Sequence, residues 1–250
     1  MSECIHGLEI PLCDICYPKA PPERPAAARA VRAPSSRTST RSPRAATVTT
    51  SRRSIDPAQQ RVYHVTHIRN LEAILGAGGL EAAAAPVVDL STELTRELRI
   101  TAETSAGTSV AEYVPFYLTP AALVWDELRR GAEDETKWSA AARAAASADF
   151  VVLVTTVTGL GDGALVTDGD AAGSVTRFSG GDDVVRALTR LHDSESLDAA
   201  EVLALGSVPF DAIQLIGVAN DPVRERVRGI LGAGARTKVA VYPPWFQPAD

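Results

Sequence analysis

Apolar and polar positions in residues 56–250 switch between a period of two and one near 3.6, the periods of strand and helix. RVYHVTHI alternates and is rich in β-branched and aromatic residues, which predicts a strand near 61–66. NLEAILGAGGL follows with apolar positions at Leu71, Ile74 and Leu75, then Gly76 and the Gly78–Gly79 pair. That spacing predicts a short helix stopped by glycine. YVPFYL at 113–118 reads as extended, and ALVWDELRRGA and WSAAARAAA as helices. DFVVLVTTV at 149–157, apolar from Phe150 to Val154, reads as a buried strand. DDVVRALTRLHDS at 182–194 is an amphipathic helix. AAEVLALGSV (199–208), DAIQLIGVA (211–219) and TKVAVYP (237–243) supply further strands. DPVRERVRGILGAG reads as a helix, with Asp221 able to cap it, Pro222 in its first turn and Gly232 ending it. Strands separated by irregular helices predict an α+β domain around a mixed or antiparallel sheet. No internal repeat recurs at a fixed period.

Composition divides the 250-residue chain into three: residues 1–18, 19–55 and 56–250. At 45% hydrophobic and 22% charged it is ordinary for a globular protein. The stretch 19–55 is rich in Pro, Ala, Ser, Thr and Arg and contains no aromatic residue, so it is expected to be a disordered linker. Residues 1–53 carry nine basic side chains and four acids, a net of +5 against −6 for the whole chain, which leaves −11 for the rest. A basic arm on an acidic body is a pattern of nucleic-acid arms; it also fits a solvated tether. No run approaches eighteen apolar residues, which excludes a membrane span of that kind. The opening MSECIHGLEIPLCDICYP lacks a basic region followed by an apolar run, so no secretory leader is expected and a cytoplasmic location is.

All three cysteines lie in that opening segment. Cys4-x-His6 and Cys13-x-x-Cys16 bring three thiols and an imidazole within thirteen residues, enough to close a tetrahedral zinc site with knuckle-like spacing. Every ligand would be protein, so such a site is structural. The competing reading is a set of free thiols beside a chance histidine.

The body has no cysteine, no GxSxG, no HExxH and no phosphate-binding loop, and GLGDG at 159–163 is not a dinucleotide fingerprint. What it does contain is Tyr63-His64-Val65-Thr66-His67, then Asn70-Leu71, Ile74-Leu75 and Gly79-Leu80. A strand ending in H-x-T before N-x-x-x-I-L-x-x-x-G-L resembles the NAD-binding core of the ADP-ribosyltransferases. It is most similar to the DarT family, toxins that ADP-ribosylate thymidine in single-stranded DNA. LTRELRITAE (94–103), EYVPFYLTP (112–120), LVTDGDAAGSVTRF (165–178) and DAAEVLALGSVPFDAIQLIGV (198–218) resemble further family segments, in family order.

The resemblance implies a PARP-like ADP-ribosyltransferase fold, NAD as co-substrate, single-stranded DNA as acceptor and a macrodomain antitoxin as partner. It puts His64, Val65, Thr66, His67, Asn70, Tyr113 and Tyr117 at the NAD site. Glu201 matches the catalytic glutamate and is expected to point into the pocket lined by His64 and Thr66. Arg99 best matches the active-site arginine, with Arg96 as the alternative; either could instead pair with Glu93 or Glu97. Asp168, Thr176 and Arg177 fall on the DNA side, although Asp168-Gly169-Asp170 also suits a plain turn. Asn70 could equally cap its helix, and His64 could be an ordinary core histidine. Independently of the family, AAEVLAL sets one acid inside an apolar run, where an unpaired carboxylate is costly. Two departures bear on target choice: Ala121–Trp125 replaces the family's R-S-P-M-L, and Ala102–Gly107 lacks its proline-glycine run. The alternatives are a non-catalytic nucleic-acid binder on an NAD fold, a transferase for RNA or protein, and an NAD glycohydrolase.

Overall fold

The computed structural model describes residues 55–248. The cysteine segment and all but the last residue of the expected linker lie outside the described residues. Among the described residues, ten strands and six α-helices build the domain. The strands are β1 (Arg61–His67), β2 (Gly79–Glu81), β3 (Tyr113–Tyr117), β4 (Phe150–Thr156), β5 (Leu165–Thr167), β6 (Phe178–Gly180), β7 (Glu201–Leu205), β8 (Ser207–Pro209), β9 (Leu215–Val218) and β10 (Lys238–Val241). The helices are α1 (Leu71–Gly76), α2 (Glu93–Thr101), α3 (Leu123–Arg129), α4 (Ala140–Ala144), α5 (Asp183–Asp193) and α6 (Asp221–Leu231).

Eight strands form one mixed sheet in the order β10-β9-β4-β1-β3-β7-β5-β6, and β2 pairs with β8 in a second. β9 and β10 are parallel, the other pairs antiparallel. α6 supplies the crossover that a parallel pair requires. On one face Val62, Phe116, Leu153 and Val202 pack under α5 and α6, and on the other Tyr63, Phe150, Val152 and Val154 pack under α3, Trp138 and α4. β4 is therefore apolar at every position from Phe150 to Val154 because both of its faces are covered.

Three readings of the sequence change. The run 199–208 is two strands, because Gly206 takes a positive φ of 69° and turns the chain from the large sheet into the small one. The run 211–219 becomes a strand only at Leu215, after a 3-10 turn at Phe210–Ala212. α6 is capped by Asn220, whose Oδ1 accepts from the Val223 amide at 3.1 Å, and Asp221 is its first helical residue.

One break in the sheet positions the site. β1 pairs with β4 along its whole length and β3 with β7 along theirs, yet β1 and β3 meet only at Tyr63 and Tyr117. Past that pair the two strands part.

Candidate active site

Glu201 begins β7, opposite Tyr117, which in turn lies opposite Tyr63. At roughly 5 Å per strand, this row spans about 10 Å from β1 to β7 on one face of the sheet. The carboxylate is buried (3% exposed), so the structure excludes a solvent-facing glutamate. Its Oε1 accepts from the Ala171 amide at 3.2 Å and its Oε2 from Arg99 Nη1 at 3.3 Å. Burial pushes its pKa above the ordinary carboxylate value. Arg99 draws it back and the charge of Asp170 adds to the rise, with burial prevailing. Tyr117 is raised as well, by burial first and then by the Glu201 charge.

The loop after β5 presents the Ala171 amide. Asp168 Oδ1 accepts from the Arg177 amide at 2.8 Å, Asp170 Oδ1 from the Ala172 amide at 2.9 Å, and the Thr176 hydroxyl donates to the Asp170 carbonyl at 2.6 Å. These are side chains closing their own local backbone, so Asp168-Gly169-Asp170 is turn chemistry beside a site. Thr167 ties the loop to β7: the Glu201 amide donates to its Oγ1 at 2.9 Å, and its hydroxyl donates to the Gly169 carbonyl at 2.6 Å. Arg177 is exposed.

α2 brings the arginine. None of its residues is buried, so hydroxyl anchors hold it. Thr92 Oγ1 caps it by accepting from the Thr95 amide, the Thr95 hydroxyl donates to the Lys137 carbonyl at 3.0 Å, and the Ser109 hydroxyl donates to the Ile100 carbonyl at 2.9 Å. Arg99 reaches Glu201; Arg96 turns outward to Asp89, and neither pairs with Glu93 or Glu97. The second Arg99 nitrogen, Nη2, is buried without a hydrogen-bond partner among the described residues. A buried, unsatisfied guanidinium N–H is costly and marks a place for an acceptor the protein does not supply.

His64 and Thr66 do not join this cluster through their side chains, contrary to the shared pocket expected from the sequence. Successive strand residues face opposite ways. Tyr63, Val65 and His67 share the Glu201 face, whereas His64 lies against Phe116 and Thr66 against Asn70 on the other. His64 Nδ1–H donates to the Pro115 carbonyl at 2.8 Å across the gap where β1 and β3 separate, and burial lowers its pKa. Asn70 stands at the N-cap position of α1 but its side chain makes no capping bond: its amide donates to Thr66 Oγ1 and the Val88 carbonyl and accepts from the Val88 amide, fixing the segment after β2. His67 Nδ1 accepts from the Arg69 amide at 3.2 Å, and burial lowers its pKa too. Tyr113, at the other end of β3, packs with Ala171 and Leu203.

Sequence reasoning passed over Tyr63, Thr167 and the Ala171 amide. Strand parity would have flagged Tyr63; Thr167 acts through its hydroxyl on backbone groups distant in sequence, and Ala171 through its backbone amide, which carries no side-chain signal. Trp245 meets Tyr63 edge-on at 5.5 Å and stacks on Tyr242 at 4.3 Å, so the C-terminal segment walls this face on the β1 side.

Among the described residues no group of three or more His, Cys, Asp or Glu is placed to hold a metal ion, and no helix is long and apolar enough to cross a membrane. Cys4, His6, Cys13 and Cys16 lie outside those residues.

The family model for "ssDNA thymidine ADP-ribosyltransferase, DarT" matches residues 63–247. The chain belongs to the DarT family. Its fold is that of the solved DarT structures. Thermus sp. 2.9 DarT in complex with ADP-ribosylated ssDNA superposes with a TM-score of 0.65 at 22% identity, over 77% of this chain and 98% of that one. The same protein in complex with NAD+ gives 0.58 at 22% identity, over 74% and 96%. Thermosipho africanus DarTG in complex with ADP-ribose gives 0.58 at 20% identity, over 75% of this chain and 51% of that longer one. No curated protein matches the chain. The DarT match runs from Tyr63, two residues inside β1, to just past Trp245, and so takes in Glu201, Arg99 and the aromatic wall.

Proposed function

We propose that this DarT-family chain transfers ADP-ribose from NAD to thymidine in single-stranded DNA, with Glu201 and Arg99 at the reacting centre. The observation that carries this reading is the buried carboxylate held by Arg99, whose other nitrogen lacks an acceptor. Breaking the nicotinamide–ribose bond builds positive charge at C1′. A fixed carboxylate that hydrogen-bonds the ribose 2′-hydroxyl strengthens its hold as that charge develops, which lowers the barrier. Glu201 acts in its ionised form, which burial disfavours and which Arg99 and the Ala171 amide favour in part. The electrons of the broken bond leave with nicotinamide. Thymine N3 loses its proton to water and forms the new bond to C1′. Arg99 is far too weak an acid to serve as base at an ordinary pKa. Its free N–H instead donates to a thymine carbonyl, which orients the ring and acidifies N3–H.

NAD lies along the edge of β1 that β3 leaves unpaired beyond Tyr63, with Val65, His67 and Tyr117 facing it. His64, Thr66 and Asn70 act there by holding the strand and the Val88 segment in place. Tyr113 braces the loop through Ala171, and Asp168, Thr176 and Arg177 shape the DNA side, with Arg96 at its edge. Incubation with NAD and a thymidine-containing oligonucleotide should add one ADP-ribose to the DNA. Glu201→Gln should lower the rate at least 10³-fold, about 4 kcal/mol of transition-state stabilisation. Free ADP-ribose without a DNA adduct would instead indicate a glycohydrolase.

The same reading assigns residues 56–250 to the transferase, 19–55 to a basic arm along single-stranded DNA and 1–18 to a zinc knuckle through Cys4, His6, Cys13 and Cys16. A cytoplasmic location and a macrodomain antitoxin follow from the family. Metal analysis of the full chain should find one zinc, lost in a Cys13→Ser/Cys16→Ser double variant.

A further inference from the structure

We propose that the groove between the end of α2 and the loop after β5 receives the base of the nucleotide next to the modified thymidine. It favours a base with an exocyclic amino group, which Glu103 accepts. This deepens the transferase reading and rests on it.

The groove has a volume of about 350 Å³. Leu98, Thr101 and Glu103 form one wall and Ala171, Thr176 and Phe178 the other. That is the small end of the range for ligand pockets. Ala171 belongs to both places: it lines the groove and its amide holds Glu201. A nucleotide entering here is therefore a direct neighbour of one reacting at Glu201. No arginine or lysine lines the groove, so a phosphate gains no cationic partner. A base does: Leu98 is 51% exposed, Phe178 faces it, and Val175 at the loop tip is 89% exposed. Apolar side chains offered to water beside a nucleic-acid site suit stacking and wedging.

The polar groups set the preference. The Thr101 hydroxyl donates to the Glu97 carbonyl, and the Thr176 hydroxyl to the Asp170 carbonyl. Both of these hydrogens are turned away and lone pairs are left; Ser174, exposed on the loop, is the lining hydroxyl that keeps a hydrogen to donate. Glu103 has no ion pair or side-chain hydrogen bond among the described residues, so its carboxylate is a free acceptor. Adenine, cytosine and guanine present amino donors to such a lining. Thymine presents two carbonyl oxygens around one N–H, and those oxygens repel a carboxylate.

The test uses the full chain, NAD and single-stranded oligonucleotides with one thymidine, varying the base on each side in turn. On one side, adenine, cytosine or guanine should be favoured over thymine about tenfold in kcat/KM, the scale of one charge-assisted hydrogen bond. Replacing a favoured adenine by purine, which lacks only the amino group, should remove the preference. Glu103→Ala and Glu103→Gln should flatten it while the thymidine adduct persists. Flat context dependence in the native chain, or a Glu103 variant that slows all contexts equally, overturns the proposal and leaves the transferase reading intact. No adduct on any oligonucleotide sinks both.

Discussion

β4 and α2 are opposite ways of holding a segment. β4 is buried from Phe150 through Thr155, paired with β1 on one side and β9 on the other. α2 buries no residue and is tied down by threonine and serine hydroxyls and by Arg99 on Glu201. A strand packed on both faces gains stability from area removed from water, which does not depend on direction. A helix held by a few hydrogen bonds gains little net stability, since each replaces one to water. The scaffold's stability and the arginine's placement are therefore separable, and substitutions should divide the same way.

The largest effect belongs to the packed strand. Phe150 is fully buried between Trp125 and His67. Phe150→Ala should cost about 3–5 kcal/mol of global stability, read from denaturant midpoints at unchanged m-value. A loss under 1 kcal/mol would mean that β4 is not the anchor it is taken to be.

A smaller effect, of opposite sign, comes from the site itself. The folded-state pKa of Glu201 lies above its unfolded value, so the native chain binds its proton more tightly than the unfolded chain does. Below the unfolded pKa both states are protonated and there is no penalty. As pH rises from there through the folded pKa, the native state loses stability. Glu201→Gln should therefore raise Tm at pH 8, by less than Phe150→Ala lowers it, and the gain should vanish near pH 4. On the proposed mechanism, in which the ionised form works, transfer by the native chain should fall on the acid side at a pH above the usual carboxylate range. A lower Tm for the glutamine variant at pH 8 would mean that the Arg99 pairing outweighs burial.

This division also decides what was legible in the sequence. β4 was readable because a doubly buried strand must be apolar at every position, and Glu201 because a lone acid in such a run is anomalous. Arg99 and Arg96 were not separable, since they share one face of a helix that buries nothing, and only the fold decides which meets Glu201. The motif placed His64 and Thr66 near NAD, yet strand parity turns their side chains to the other face. Gly206 hid a change of sheet inside an unbroken apolar run. Periodicity reports which residues are buried; it does not report which strand lies alongside or where a turn redirects the chain.

The smallest effect tests α2 directly. Thr95 donates its hydroxyl to the Lys137 carbonyl, one turn before Arg99. Thr95→Val keeps the β-branched shape and removes that bond together with the hydroxyl contact to Thr92 Oγ1, so global stability should change by about 0.5–1.5 kcal/mol. Amides of residues 93–101 should exchange faster with solvent while those of β4 keep their protection, because α2 buries no side chain of its own. Arg99 would then meet Glu201 for a smaller fraction of the time. On the proposed mechanism transfer should drop several-fold through kcat, since a bond from the arginine to thymine would count most as N3 loses its proton. If β4 amides sped up in parallel, the helix and the strand would open as one unit, and the placement of the arginine could not be tuned apart from the stability of the fold.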